Sequence, residues 1–334
     1  MSCKKVLFLV LAVVLSACEK VSPIGILVAG TAVEDRVKMS ELFYRNYYND
    51  KVFLVAKGDY TFIVGADSHL TTDSGRMDEM LAIGLENDDL FYAHLGDIAD
   101  TKAEYYITLD SLLKEGKSRF VDKYFVKSDE YTYWDTRNEY DPTTRLYDEI
   151  VYPFFPVVGN HDITHNGWAL WSNIFHSSFY EIDVVVFQEN GDLAFDHLIF
   201  LDSASGTLGM TQIDLINQGV LDGNYSDGSS IYRHTFVFSH TNIFRPQFFE
   251  FASTFTREET FFLLDQFEKW NVTYAFCGHV HTWDDRSYNG VNYLTLDAMS
   301  ERNNPDPGDY LVRMHVPENG KVNWSPVHMS YTTK

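Results

Sequence analysis

Phe62-Ile63-Val64-Gly65-Ala66-Asp67-Ser68-His69 carries an apolar, β-rich run into a carboxylate and an imidazole, and the same arrangement recurs four more times along the chain. Leu90-Phe91-Tyr92-Ala93-His94-Leu95 leads into Gly96-Asp97-Ile98-Ala99-Asp100, and Phe154-Phe155-Pro156-Val157-Val158 into Gly159-Asn160-His161-Asp162. Phe236-Val237-Phe238 leads into Ser239-His240, and Val272-Thr273-Tyr274-Ala275-Phe276 into Gly278-His279-Val280-His281. Short runs of β-branched and aromatic residues read as buried strands. Polar residues at their ends lie on the carboxyl edge of a sheet, where open α/β folds gather their sites.

The side chains on offer are the ligands of a two-metal hydrolytic site. In an extended segment side chains two apart point alike, so Asp67 and His69 are expected to hold one ion together. His279 and His281 share that spacing and are expected to approach from the opposite strand, with Asn160 and His240 completing the coordination. Asp97 can offer an oxygen to each of two ions, the usual arrangement for metals about 3.5 to 4 Å apart. Mixed nitrogen and oxygen donors suit two divalent or mixed-valence transition metal ions, Mn, Fe or Zn, better than Mg or Ca alone.

The motifs run without a break from residue 67 to residue 281 of a 334-residue chain, which reads as one catalytic domain over 60–334. With 45% hydrophobic and 22% charged residues the chain can bury a full-sized core. A net charge of −22 argues against nucleic acid as a partner. A small phosphorylated substrate remains compatible, because bound metal ions reverse the local sign of the field.

Residues 1–18 read as a targeting segment: Lys4 and Lys5, an apolar run from Val6 to Leu15 too short to span a bilayer, then Leu15-Ser16-Ala17-Cys18. That tetrapeptide resembles the lipobox of bacterial lipoproteins, which implies an extracytoplasmic protein held to a bacterial membrane by a lipid on Cys18. Cys277 would then be the only remaining thiol, without a disulfide partner, and reads as a buried structural residue. Residues 19–59 read as an N-terminal extension without site chemistry, with a short helix around Ser40–Tyr44 and a strand near Val52–Val55. Helical patterns follow over Met77–Leu85, Glu104–Lys114, Thr211–Asn217 and Arg257–Trp270, the last with Phe261, Leu264, Phe267 and Glu268 at helical spacing. Asn289-Gly290 and Glu318-Asn319-Gly320 mark hairpins. Strands alternating with helices and then hairpins predict mixed sheets, an α/β class with α+β character.

The ordered set of Asp-x-His, Gly-Asp-x-x-Asp, Gly-Asn-His-Asp, His and Gly-His-x-His resembles the signature of the calcineurin-like metallophosphoesterase superfamily, over roughly residues 60 to 300. The resemblance implies a four-layer sandwich, two β-sheets flanked by helices. It assigns Asp67, His69, Asp97 and His281 to one metal, and Asp97, Asn160, His240 and His279 to the other. It makes His161 a catalytic residue that assists the leaving oxygen, oriented by Asp100. Purple acid phosphatases resemble the pattern too, but carry a tyrosine where this chain has Asp100 and lack the histidine at position 69, which argues against a ferric-tyrosinate centre. The implied reaction is hydrolysis of a phosphoric monoester or diester by in-line attack of a metal-bridging hydroxide. Two alternatives stay open: a phospholipid-directed hydrolase at the membrane surface, and a non-catalytic metal-containing binding protein. Retention of both His161 and Asp100 speaks against the second.

Several other residues read as structural. His94, His165, His176 and His197 lack a second donor at ligand spacing, and Asp202 ends a strand where it is expected to brace a loop. The aromatic segment Tyr124–Tyr152 reads either as a rim that stacks a base or sugar or as the packing of an insertion.

Overall fold

The computed structural model describes residues 31–47, 53–127, 132–134, 152–223, 229–244 and 255–332. The leader with Cys18 and residues 128–131 and 135–151 of the aromatic segment lie outside them. In chain order the elements are α1 (Val33–Tyr47), β1 (Phe53–Lys57), β2 (Tyr60–Gly65), α2 (Gly75–Glu86), β3 (Tyr92–His94), α3 (Ala103–Tyr124), β4 (Phe125–Lys127) and β5 (Thr132–Trp134). There follow β6 (Phe154–Pro156), α4 (Asn160–Ile163), α5 (Trp168–Phe175), β7 (Tyr180–Phe187), β8 (Leu193–Phe200), α6 (Gly209–Asn217) and β9 (Tyr232–Phe238). The chain ends with α7 (Arg257–Lys269), β10 (Val272–Cys277), β11 (Asp284–Tyr288), β12 (Val291–Thr295), β13 (Gly308–Val316) and β14 (Asn323–Met329).

Two mixed sheets form, one ordered β1-β7-β8-β9-β10-β12-β11 and the other β14-β13-β2-β3-β6. Strands β2, β3 and β6 are mutually parallel in one sheet, and β8, β9 and β10 in the other. Two sets of carboxyl ends are thereby available to one site. Strands buried on both faces carry continuous apolar runs instead of alternating ones, which is why these segments read so plainly in the sequence.

Three cores define four layers. Between the sheets lie Phe62, Val64, Ala93, Phe155, Phe200, Phe236, Phe238 and Phe276. Their rings pack tightly: Phe200 stacks on Phe238 at 4.6 Å, Phe238 on Phe276 at 5.1 Å, and Phe62 meets Phe236 edge-on at 5.3 Å. On the outer face of the five-stranded sheet Met77, Met80 and Leu81 of α2, Leu109 and Leu112 of α3, and Trp168 and Trp171 of α5 cover Ile63 and Tyr92. On the outer face of the other sheet Val37 of α1, Leu215 and Ile216 of α6, and Leu263 and Phe267 of α7 cover Ile199, Val237 and Ala275. The expected four-layer sandwich is therefore present, with seven helices among the described residues.

Local chemistry accounts for the helix ends and turns. At the start of α7 the Thr256 hydroxyl accepts the Glu259 N–H, and Glu258 and Glu259 place negative charge at the positive end of the helix. The buried stripe of α7 is Leu263 and Phe267, one turn apart, whereas Phe261 is 65% exposed and points away from the core. Of the apolar residues expected at helical spacing, Phe267 and Leu264 do pack on this core and Phe261 alone does not, since helical spacing admits more than one face and only the position of the sheet selects between them. Asn289 and Gly290, both at positive φ, close the β11–β12 hairpin. Helix α3 is twice as long as the expected Glu104–Lys114, because Phe120, Val121 and Tyr124 pack against Leu85 and Tyr152 and extend it.

The N-terminal extension is built into the sheet sandwich. Strand β1 pairs in parallel with β7, and α1 places Arg36 against Asp202. Both side chains are fully buried, with Arg36 Nη2 and Nε at 2.7 and 2.8 Å from the two carboxylate oxygens. Gln212 Oε1 accepts the Asp202 N–H, and Gln212 Nε2 donates to the Asp202 carbonyl, so the loop after β8 is braced from both sides. Removing one partner strands a buried charge, so Asp202→Ala is expected to lower unfolding free energy by about 3–5 kcal/mol. The denaturant midpoint at unchanged slope checks this.

Candidate metal centre

The loops that leave β2, β3, β6, β9 and β10 each deliver one part of the site. Asp67 and His69 follow β2, Asp97 and Asp100 follow β3, and Asn160 and His161 form the first turn of α4 after β6. From the other sheet, His240 follows β9 and His279 and His281 follow β10. The strand ladders continue into these loops: Asp67 N–H donates to the Gly96 carbonyl at 3.1 Å, His69 N–H to Asp97 at 3.0 Å and Leu70 N–H to Ile98 at 2.7 Å. Gly278 N–H donates to the His240 carbonyl at 3.1 Å.

Asp67, His69 and His281 place one ligand atom each within 4.8 Å of one another, and so do Asp97, His240 and His279. A third such group, His69, Asp97 and His161, lies between the two and shares a residue with each. Asn160 joins the second cluster, its Oδ1 2.9 Å from His240 Nε2. All seven side chains expected to bind metal are thus brought together, with His161 and Asp100 beside them. His165, His176 and His197 stand apart from these clusters; His197 pairs with Glu181 at 2.7 Å and stacks on Tyr232. His94 is buried in β3 against Phe154, and burial pushes its imidazole down to about 3, so it is neutral.

The reason the Asp-x-His and His-x-His pairs converge differs from the expected one. Asp67, His69, Asp97, His279 and His281 all have positive φ, between 42° and 71°, so neither pair sits on extended backbone. Aspartate and histidine are among the non-glycine residues that occupy this region most readily, at a cost of roughly 1–3 kcal/mol each. Five such residues in one site mark a preorganised constellation held by the surrounding fold. Likewise Asn160 and His161 are helical and not extended; they diverge because successive helical residues point about 100° apart.

Glycine permits the loops to touch. A methyl group on Gly159 would lie 2.1 Å from the Asp97 nitrogen and 2.2 Å from its Oδ1, and one on Gly278 would lie 2.4 Å from Asp67 Oδ2. Gly159→Ala is therefore expected to displace Asp97 and lower metal content while strand and helix content persist, which elemental analysis alongside circular dichroism checks.

The donors fit bound cations. Asp67 Oδ1 is buried without a hydrogen bond, although its Oδ2 accepts the His279 N–H at 2.9 Å. His69 Nε2 and His281 Nε2 face each other at 3.4 Å, and His281 Nε2 lies 3.4 Å from Asp67 Oδ1, so three potential ligand atoms share one point. His240 Nδ1 donates to the Leu95 carbonyl at 2.7 Å, which leaves Nε2 as the ligand nitrogen. The Asn303 amide lies 2.8 Å from His281 Nδ1, on the ring edge away from the cluster. The electrostatics agree. Burial alone would lower the His240 imidazole, yet the Asp97 carboxylate raises it to about 9, and His240 in turn holds Asp97 far below the usual carboxylate range despite burial. Such a field attracts positive charge.

Asp100 has a double role. Its Oδ1 lies 3.1 Å from His161 Nδ1 and 3.3 Å from His69 Nδ1, so one carboxylate orients both a ligand and the expected catalytic imidazole. The hydrogen bond that His161 donates to the Asp100 carboxylate raises its imidazole above the ordinary value. Residues given no role in the sequence reading complete the scaffold. Asp162 is buried and accepts the N–H groups of Ile98, Ala99 and Gly159, tying two motif loops together. Ser203, next to the braced Asp202, accepts the His240 N–H at 2.9 Å.

Among solved structures the chain is similar to GAP50, the anchor in the inner membrane complex of Plasmodium, with a TM-score of 0.54 at 10% identity over 83% of this chain and 90% of that one. That likeness is one of fold. Also similar are a dimetal phosphatase from Danio rerio, at a TM-score of 0.47 and 12% identity over 85% and 100% of the two chains, and phosphopantetheinyl hydrolase from Mycobacterium tuberculosis, at 0.36 and 12% over 74% and 92%. No protein-family model and no curated protein matches the sequence. At 10–12% identity these likenesses concern the fold alone.

Proposed function

We propose that this chain is a dinuclear-metal phosphoric ester hydrolase that acts on a small phosphorylated substrate outside the cytoplasm. The observation that carries the reading is the convergence, at the carboxyl ends of both sheets, of two Asp/His clusters with an Asp100–His161 pair alongside. Asp67, His69, Asp97 and His281 would hold one ion, and Asp97, Asn160, His240 and His279 the other. Bound ions of this kind supply Lewis acidity and an activated water near neutral pH.

The chain's own residues supply the rest. His161 is part-exposed at the mouth of the site, with Nδ1 engaged by Asp100, so Nε2 is the atom available to substrate. As an imidazolium it can donate a proton to the leaving oxygen, and Asp100 keeps both its charge and its orientation. A residue needed only to hold metal would require neither feature, which favours catalysis over a purely structural centre. A panel of phosphomonoesters, phosphodiesters and phospholipids offered to metal-loaded protein tests the reading; absence of turnover on all of them would leave a non-catalytic metal protein.

The lipobox-like Leu15-Ser16-Ala17-Cys18 supports attachment to a bacterial membrane through Cys18. No helix among the described residues is long and apolar enough to cross a membrane. Full-length precursor made in a bacterium is expected in the membrane fraction, and Cys18→Ser is expected to release it or stall its processing. Equal membrane association of the two forms would remove the lipoprotein reading.

A further inference from the structure

The loop after β12 brings a cation to the rim of the site. Met299 and Ser300 donate their N–H groups to the carbonyls of Ala66 and Asp67, at 2.9 and 3.2 Å, which fastens the loop to the first metal-binding segment. From below, buried Arg76 donates to the carbonyls of Met299 and Asp306, both at 2.8 Å, and spans the loop. The Ser300 carbonyl accepts the N–H groups of Asn303 and Asn304, and its hydroxyl accepts that of Arg302. A segment tied at so many points presents its side chains in fixed directions.

Two of those side chains face the site. Asn303 contacts His281, and Arg302 extends over Asp100, with Nη1 3.7 Å from Oδ2. Arg302 remains 78% exposed, so at this distance the ion pair is weak and most of its five N–H donors face solvent. The neighbouring Glu301 does not compete for it, lying instead 3.8 Å from Arg76. Arg302 thus caps the carboxylate that would otherwise repel an incoming anion, and does so in a chain whose net charge is −22.

We propose that Arg302 binds the outward non-bridging oxygen of a phosphomonoester dianion and so makes the site selective for monoesters over diesters. The proposal rests on the hydrolase reading above and specifies its substrate class. A monoester has three non-bridging oxygens and, above a second pKa of about 6, close to two negative charges. With its phosphorus over the two clusters and its leaving oxygen toward His161, one of those oxygens is left to face the mouth. A diester carries a second substituent in that place and a single charge. A guanidinium, whose planar fork matches phosphate oxygens, rewards the first and gains little from the second.

The test uses metal-loaded protein, inorganic phosphate as the probe in calorimetry, and the ratio of kcat/KM for p-nitrophenyl phosphate to that for bis(p-nitrophenyl) phosphate. Arg302→Gln is expected to keep its metal content, to bind phosphate about tenfold more weakly and to lower the ratio about tenfold, as for one lost charge-assisted hydrogen bond. Arg302→Lys is expected to recover part of both. Phosphate affinity and ratio within twofold of the parent would overturn the proposal, as would absence of phosphate binding to the parent. If the parent binds phosphate through Arg302 but cleaves neither ester, the anion site stands and the hydrolase reading fails.

Discussion

His161→Asn is expected to retain both metal ions and the fold yet lose about 10² to 10⁴ in turnover, the range typical of positioned acid catalysis. The basis is geometric: His161 Nδ1 is held by Asp100 at 3.1 Å, and the residue reaches the site from the first turn of α4, beside the ligand Asn160. The loss should shrink for leaving groups as acidic as nitrophenol, which need little protonation. The pH profile gives an independent reading. Asp100 raises the His161 pKa, so the protonated, donating form persists below that raised value and is lost as pH climbs through it. Parent activity toward a poor leaving group should therefore fall on the alkaline side, and that limb should vanish in the variant. His161 also lies in a cluster with His69 and Asp97, so the variant's metal content matters as much as its rate. Loss of an ion on substitution would make His161 a ligand and end its assignment as the acid.

Asp97→Asn is expected to empty both metal sites, because the proposed assignment gives this one carboxylate to both ions: it clusters with His240 and His279 of the second site and lies within the same short reach of His69 of the first. The change keeps the shape of the side chain, including an oxygen to accept the His161 N–H that Asp97 Oδ1 accepts at 2.7 Å. What it removes is the charge that draws cations to the site. His69→Ala, by contrast, should deplete chiefly the ion held with Asp67 and His281. Elemental analysis of folded protein, with thermal unfolding as a control, distinguishes the two patterns; equal loss in both variants would show that the sites fill only together.

Much of this architecture could be read from the chain because parallel strands buried on both faces leave long apolar runs, and their ends carry the site. The runs into Asp67, Asp97, Asn160, His240 and His279 all became strand exits, and the Asn289-Gly290 turn became a hairpin. Other features depend on contacts between distant segments. The length of α3 follows from packing near its C-terminal end, and the buried face of α7 from where the sheet lies. Tyr180–Phe187, half of the longest hairpin pairing in the seven-stranded sheet, also becomes the parallel neighbour of β1, a partnership with no local signature.

By itself the sequence determined the composition of the site: which donor types exist, in what order, and that each stands where a strand ends. Those are properties of short segments, set by periodicity and residue chemistry. Only the tertiary structure decided how the donors meet. The left-handed backbone at Asp67, His69, Asp97, His279 and His281 costs energy locally and persists because hydrogen bonds and packing from other segments hold it. The same is true of the outer partners. Asn303, Arg302 and Ser203 are ordinary polar residues along the chain, and they acquire roles because the fold carries their loops to His281, Asp100 and His240. A ligand's identity is a local fact; its orientation is fixed by groups more than two hundred residues away, as in the 2.9 Å bond from the His279 N–H to Asp67.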